Sequence, residues 1–309
     1  MSAPLILVTC RQMQVELPRH RERIEHLGFE VVALELNGRQ QFTARELLQY
    51  SPRLVGIIAG DDQLDREFFD GAHELRTVIR WGIGMDSVDH DAARRHGVTV
   101  RNTPGVFGYE VADSAFGYIL NLARGYIPVD AAVRRGEWPK FEGITLAGAL
   151  LGIVGFGAIG REIARRASAF GMNVVTADPY VGTSNCGVSV VELDELLATS
   201  RFVVLACPLT PDTFHMINAD RLALMRTDSF LVNVARGPVV VEADLVNALK
   251  GGQLAGAALD VFEVEPLPLD SELRTLPNVV LGAHNASNTR EGVVRASQAA
   301  VDFLLEELA

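Results

Sequence analysis

The sequence predicts an α/β chain built on two doubly wound parallel sheets. Three observations carry the prediction. Short apolar runs alternate with helix-patterned segments through the first hundred residues. A glycine-rich junction, Val154-Gly155-Phe156-Gly157-Ala158-Ile159-Gly160, joins a strand to a helix near mid-chain. An amphipathic helix closes the chain at residues 290–308. Strands that alternate with crossover helices form a parallel sheet covered on both faces.

Taken in order, residues 5–8 read as the first strand. Residues 18–27 read as a helix that Gly28 ends. Strands follow at 31–34, 54–59, 78–81 and 98–101, with helices at 43–50, 66–75 and 90–96, the last closed by Gly97. Asn102-Thr103-Pro104-Gly105 marks a boundary, because Pro and Gly interrupt regular structure. Residues 109–124 have helical apolar spacing at Val111, Ala115, Tyr118, Ile119 and Leu122. The second lobe begins at Leu151, with further strands at 174–177, 203–206, 230–234, 257–261 and 279–282. The closing helix can return to the first lobe. That gives residues 1–102 and 285–309 as a substrate domain and 103–284 as a nucleotide-binding domain inserted into it.

The mid-chain junction is the most specific local signal. It closes the strand Leu151-Gly152-Ile153-Val154 and opens a helix at 161–170. Asp178 lies eighteen residues past Gly160, at the end of the next apolar run. Gly155 permits the tight turn, Gly157 lets backbone approach a pyrophosphate, and Gly160 lets helix and strand pack closely. The helix N-terminus then faces the phosphates, and Asp178 accepts from the ribose hydroxyls. A carboxylate there favours NAD and repels the extra phosphate of NADP, and Pro179-Tyr180-Val181-Gly182 offers no Arg to receive it. The expected cofactor is NAD, on a Rossmann lobe inserted into a flavodoxin-like one.

Bulk properties fit such a chain. Its 309 residues suffice for two cores. A net charge of −11, with no basic run, argues against nucleic acid and anionic membrane as partners. No stretch of eighteen apolar residues predicts a membrane span, and the apolar start at 4–8 is too short for a signal peptide. Three scattered cysteines, Cys10, Cys186 and Cys207, fit a reducing cytoplasm and exclude a cysteine-based zinc motif. No His pair has helical ligand spacing, so no metal is expected.

Three side chains lie just past predicted strands of the second lobe, where open α/β sheets bind ligands. Arg236 can hold a carboxylate or polarise a carbonyl with its planar fork. His284 titrates in the range useful for proton transfer. Glu265 can bond one imidazole nitrogen and fix the ring. Each also has a plain reading alone: Arg236 a surface or capping residue, Glu265 a solvated acid in Glu263-Val264-Glu265, His284 a structural histidine. The six other histidines read as surface or helix residues.

Together these segments resemble the D-isomer-specific 2-hydroxyacid dehydrogenases over nearly the whole chain. Arg80-Trp81-Gly82-Ile83-Gly84-Met85-Asp86-Ser87-Val88-Asp89 resembles the family's substrate loop. Asn102-Thr103-Pro104-Gly105 resembles its hinge, and Pro208-Leu209-Thr210-Pro211 its cofactor-lining loop. Asn233-Val234-Ala235-Arg236-Gly237 and Asp260-Val261-Phe262-Glu263-Val264-Glu265-Pro266 resemble the segments with the catalytic Arg and Glu, the latter matching Glu265. His284 falls where the family has its catalytic His. The resemblance implies a cofactor site of Gly155, Phe156, Gly157, Ala158, Ile159, Gly160, Asp178, Cys207, Pro208, Thr213, Val234, Ala235, Asp260 and Ala286. It implies a substrate site of Gly60, Gly82, Ile83, Gly84 and Arg236, the amides around Gly82 receiving a carboxylate. The segments 109–124 and 136–138 resemble its dimerisation region, so a homodimer is expected.

Three departures matter. Ala283 stands before His284 where the family often has Pro. Asp113-Ser114 replaces a frequent Glu-His. Ala59-Gly60-Asp61-Asp62 replaces an Arg-Ser pair frequent in phosphoglycerate dehydrogenases, and two aspartates oppose a phosphate. Those enzymes' extra regulatory domain is not expected here. The expected reaction is NAD-dependent interconversion of a D-2-hydroxy acid and its 2-oxo acid. The expected substrate is a small uncharged one such as glyoxylate or hydroxypyruvate. Alternatives are 3-phosphoglycerate dehydrogenase, a formate- or phosphite-type enzyme, or a non-catalytic NAD(H)-sensing corepressor-like protein.

Overall fold

The computed structural model describes residues 3–182 and 188–309; Cys186 lies outside the described residues. The chain divides into two compact units, Met1–Phe107 with Asn288–Ala309, and Gly108–Ser287.

The first unit holds β1 (Leu5–Val8), α1 (Arg11–Glu25), β2 (Glu30–Ala33), α2 (Ala44–Leu48), β3 (Leu54–Ala59), α3 (Arg66–Gly71), β4 (Thr77–Arg80), α4 (His90–Arg95) and β5 (Thr99–Asn102). Its sheet is wholly parallel, in the order β2-β1-β3-β4-β5. That is the doubly wound flavodoxin-like order. Leu5, Leu7, Ile57, Val78, Phe68 and Phe69 fill the core on one face. The closing helix, Arg290–Leu308, covers the other together with α1. A β-carbon on Gly56 of β3 would fall 3.1 Å from Leu304 Cδ1, and the Trp81 indole donates to Ser297 Oγ at 3.1 Å. Side-chain caps by Thr43, Asp65, Asp89 and Thr289 start the helices where orphan N–H groups need acceptors.

The second unit holds α5 (Gly108–Arg124), α6 (Tyr126–Arg134), β6 (Leu150–Val154), α7 (Ala158–Ala169), β7 (Asn173–Ala177), β8 (Ser189–Val190), α8 (Leu193–Thr199), β9 (Phe202–Leu205), α9 (Ala219–Leu224), β10 (Phe230–Asn233), α10 (Glu242–Lys250), β11 (Gly256–Leu259) and β12 (Val279–Leu281). Its strands are all parallel, in the order β12-β11-β10-β9-β6-β7-β8. The winding reverses between β6 and β9, which opens a crevice at their carboxyl ends. This is a Rossmann sheet.

Two helix starts differ from expectation. The first helix begins at Arg11, seven residues before Pro18, rather than at the proline. Met13, Leu17, His20 and Ile24 form one buried stripe, and that burial offsets the backbone bond the interior Pro18 cannot make. The helix after the glycine motif begins at Ala158, not 161, because Gly157 already serves as its N-cap. No described helix is long and apolar enough to cross a membrane.

Candidate active site

The carboxyl end of β6 runs straight into the glycine loop. Gly155 has φ +92°, and a β-carbon there would fall 2.7 Å from the Cys207 backbone. A β-carbon on Gly160 would fall 2.2 Å from the Gly155 carbonyl oxygen, so strand end and helix touch through backbone alone. Gly157 faces open space, and no side chain caps α7. The first amides of α7 are thereby left to an external anion, the arrangement a dinucleotide pyrophosphate requires. Asp178, past the end of β7, accepts from Phe156 N–H at 2.7 Å and Tyr180 N–H at 2.8 Å, which fixes its carboxylate beside the loop. Cys207 and Pro208 follow β9 across the crevice. Thr213 closes their loop by donating to Pro208 O at 2.7 Å and accepting from Thr210 N–H at 2.8 Å. Burial, with the Asp178 charge adding to it, pushes the Cys207 thiol up to about 11. The donor set fits NAD.

The three candidate catalytic residues follow β10, β11 and β12, adjacent strands of the same sheet. Arg236 is extended and partly buried; its Nη1 donates to Ala235 O at 3.0 Å, and Asn233 Nδ2 holds its carbonyl at 2.9 Å. A β-carbon on Gly237 would overlap the Phe262 carbonyl carbon at 1.8 Å, so the Arg236 segment lies directly on the Glu265 loop. Glu265 Oε1 accepts from Phe262 N–H at 2.9 Å, and its Oε2 lies 2.7 Å from His284 Nδ1. The two side chains are 17% and 22% exposed, screened from bulk water yet reachable. A carboxylate on Nδ1 fixes the ring's tautomer and leaves proton exchange to Nε2. Glu263 faces elsewhere and pairs with His215 Nε2 at 2.8 Å. The structure thus brings Glu265, and not Glu263, to His284.

Asp260 and Ala286, expected at the cofactor, meet each other: Ala286 N–H donates to Asp260 Oδ2 at 2.9 Å. Val234 and Ala235 lie buried at the end of β10, Ala235 N–H donating to Asn233 Oδ1 at 3.0 Å.

In the first unit the loop at 81–84, expected at the substrate, follows β4. Two of the glycines expected there, Gly82 and Gly60, have amides with internal partners. The Gly82 amide donates to Thr103 Oγ1 at 2.9 Å, and the Gly60 amide to Asp62 Oδ2 at 3.0 Å. Both groups are spent within the unit, because each is buried or nearly so and needs an internal acceptor. The Ile83 and Gly84 amides donate to no described residue, so they remain able to receive a carboxylate. Arg80 is buried under this loop, bonded to Trp81 O and paired with Asp61. Asp62 accepts from Thr9, Phe42 and Gly60, yet burial still pushes its carboxyl up.

Sequence reasoning missed Thr103, Asn233, Ser114 and Tyr118 as supports. Tyr118 was legible only as one position of an apolar helical stripe. No group of three potential metal ligands occurs among the described residues.

Comparison with known proteins agrees with this geometry. The model of the D-isomer specific 2-hydroxyacid dehydrogenase NAD binding domain matches residues 116–286. The chain is 41% identical to a glyoxylate reductase of Thermococcus onnurineus, covering 94% of this chain and 89% of that one. It is 36% identical to a D-3-phosphoglycerate dehydrogenase of Methanocaldococcus jannaschii, over 94% of this chain but only 55% of the longer relative. An NADPH-dependent glyoxylate/hydroxypyruvate reductase from Sinorhizobium meliloti, solved with NADP and malonate, superposes with a TM-score of 0.86 at 31% identity, covering 100% and 94% of the two chains. The chain belongs to the D-isomer-specific 2-hydroxyacid dehydrogenases, NAD-binding oxidoreductases that interconvert a D-2-hydroxy acid and its 2-oxo acid.

Proposed function

We propose that Arg236, Glu265 and His284 are the catalytic residues and that the substrate is a small 2-oxo acid such as glyoxylate or hydroxypyruvate. The observation that carries the assignment is the 2.7 Å contact of His284 Nδ1 with Glu265 at the ends of neighbouring strands. In reduction, NADH held at the glycine loop would supply the hydride. His284, protonated, gives its Nε2 proton to the carbonyl oxygen; in oxidation it takes that proton back. Glu265 keeps the imidazole oriented and stabilises its charged form. Arg236 faces the substrate's carboxylate and carbonyl, where its fixed charge counters the negative charge that develops on oxygen. The first unit is assigned as the substrate domain, with the Ile83 and Gly84 amides as its candidate donors to a carboxylate. Asp178, already held beside the glycine loop, selects NAD over NADP.

The substrate class follows from charge. Arg80, the buried cation beside the substrate loop, is neutralised by Asp61, and Asp62 lies next to it. A phosphorylated substrate would meet an acid where it needs a free cation. The chain's likeness to proteins named glyoxylate reductase supports the same choice.

The test is consumption of NADH and NADPH against glyoxylate, hydroxypyruvate, pyruvate and phosphohydroxypyruvate, in the wild type and in His284→Ala. The variant should bind NADH normally and lose about 10²–10⁴-fold in kcat, the usual scale of general acid–base catalysis. A variant that turns over normally removes His284 from the mechanism. NADH binding by the wild type without turnover of any acid would point to a sensor.

A homodimer belongs to the same reading. Tyr126, Ile127, Trp138 and Phe141 leave an apolar patch around α6, with Trp138 76% exposed, more than an isolated surface residue warrants. Sedimentation at the mass of one chain would remove it. The cytoplasm is the proposed compartment, since Cys10 and Cys207 are both unpaired thiols; recovery from another cell fraction would overturn that.

A further inference from the structure

The loop that carries His284 is tied to one face of α5, and we propose that Tyr118 and Ser114 are positioning residues for the proton-transferring imidazole. The proposal rests on the reading of His284 given above. Tyr118 and Ser114 are four residues apart in one helix, so their side chains leave the same face one turn apart. The Tyr118 hydroxyl donates to Asp260 Oδ1 at 2.8 Å. Asp260 is 2% exposed and turns its other acceptor positions to the His284 loop. Its Oδ1 also takes Asn285 N–H at 3.2 Å, its Oδ2 takes Ala286 N–H at 2.9 Å, and its carbonyl takes His284 N–H at 2.6 Å. Ser114 Oγ completes the clamp by donating to Ala286 O at 3.1 Å.

Two further observations show that the clamp has a task. His284 sits at φ +50°, a left-handed conformation that a non-glycine residue keeps only where its surroundings impose it. A β-carbon on Gly282 would fall 2.3 Å from both Asp260 Oδ1 and Tyr118 Oη, so the loop's entry is cut back where the hydroxyl meets the carboxylate. Burial and the Asp260 charge push the Tyr118 ionisation up, so the hydroxyl remains a donor throughout the working pH range. The chain of contacts runs from a rigid helix through a buried carboxylate to the backbone of the catalytic residue. It fixes where Nε2 lies. A displacement of about 1 Å at a reacting group can cost ~100-fold in rate.

The test uses the full chain with Tyr118→Phe, Ser114→Ala and Ser114→Thr. It measures the thermal midpoint, the NADH dissociation constant by fluorescence, and kcat and KM for the 2-oxo acid that the wild type turns over. It also measures the solvent deuterium isotope effect on kcat. Tyr118→Phe should lower kcat about tenfold and raise the isotope effect, because proton transfer becomes more rate-limiting. Its NADH affinity should stay that of the wild type, and its thermal midpoint should fall only by what the loss of one buried hydrogen bond costs. Ser114→Ala should act in the same direction and more weakly, and Ser114→Thr, which keeps the hydroxyl, should restore kcat. Unchanged kcat in both deletion variants overturns the proposal. So does weaker NADH binding with kcat intact, which would make the hydroxyl a cofactor support. Should Tyr118→Phe fail to fold, the Ser114 pair decides. Normal turnover by His284→Ala would instead overturn the reading of His284 and is read in a separate protein.

Discussion

Two glycine loops end two parallel strands of this chain, and they are supported in opposite ways. The loop at 155–160 is held by backbone packing: Gly155 on Cys207, Gly160 on Gly155. Its helix starts without a side-chain cap, so its amides point at a ligand. The loop at 81–84 is held by side chains. Thr103 takes the Gly82 amide, and the Arg80 guanidinium lies 2.7 Å from where a Gly82 β-carbon would be. The first design serves a ligand common to many enzymes and tolerates almost no change. The second puts its support in replaceable side chains, which suits the substrate-selecting role proposed for it.

That contrast can be broken at three places. Gly160→Ala should have the largest effect, because the methyl group would overlap a backbone oxygen that cannot move aside. The cost is about 3 kcal/mol, more than a hundredfold in NADH affinity by titration. Retained affinity would show that the loop is softer than its packing. Asp61→Asn should cost about 2 kcal/mol in denaturant unfolding, since Arg80 is buried and Asp61 only partly so. It should also raise the turnover of phosphohydroxypyruvate relative to glyoxylate. An unchanged ratio would remove the Asp61–Arg80 pair from substrate choice. The smallest effect concerns Cys207. Its folded thiol titrates near 11 against an ordinary 9.0, so the folded state holds a proton that the unfolded state loses. The contribution is complete below about pH 9 and lost as pH rises toward 11, ~1–2 kcal/mol in all. Cys207→Ala should therefore flatten the fall of the thermal midpoint between pH 9 and 10.5. An equally steep fall would assign it to other groups.

The same contrast explains how far the sequence could be read. The 155–160 loop was legible because backbone sterics dictate glycine at fixed spacing after a strand. Arg236, Glu265 and His284 were legible as polar residues past apolar strands, and the family likeness singled out Glu265 over Glu263. In space Glu265 lies 2.7 Å from His284 while Glu263 pairs with His215, contacts between residues far apart in sequence. The internal acceptor of the Gly82 amide was not legible, because Thr103 lies twenty-one positions away and reads only as a boundary residue. Helix α1 was begun too late because proline's preference for a first turn is local, whereas the burial of Met13 and Leu17 is tertiary.

The split of the first unit across both ends of the chain sets an order for folding during synthesis. Residues 108–287 are all present before the last segment exists. The face of β3 and β4 that Leu304 and Ser297 cover must wait for that segment, with Gly56 and the Trp81 indole uncovered meanwhile. The inserted unit therefore has its whole sequence before the unit whose synthesis began earlier, which is completed last.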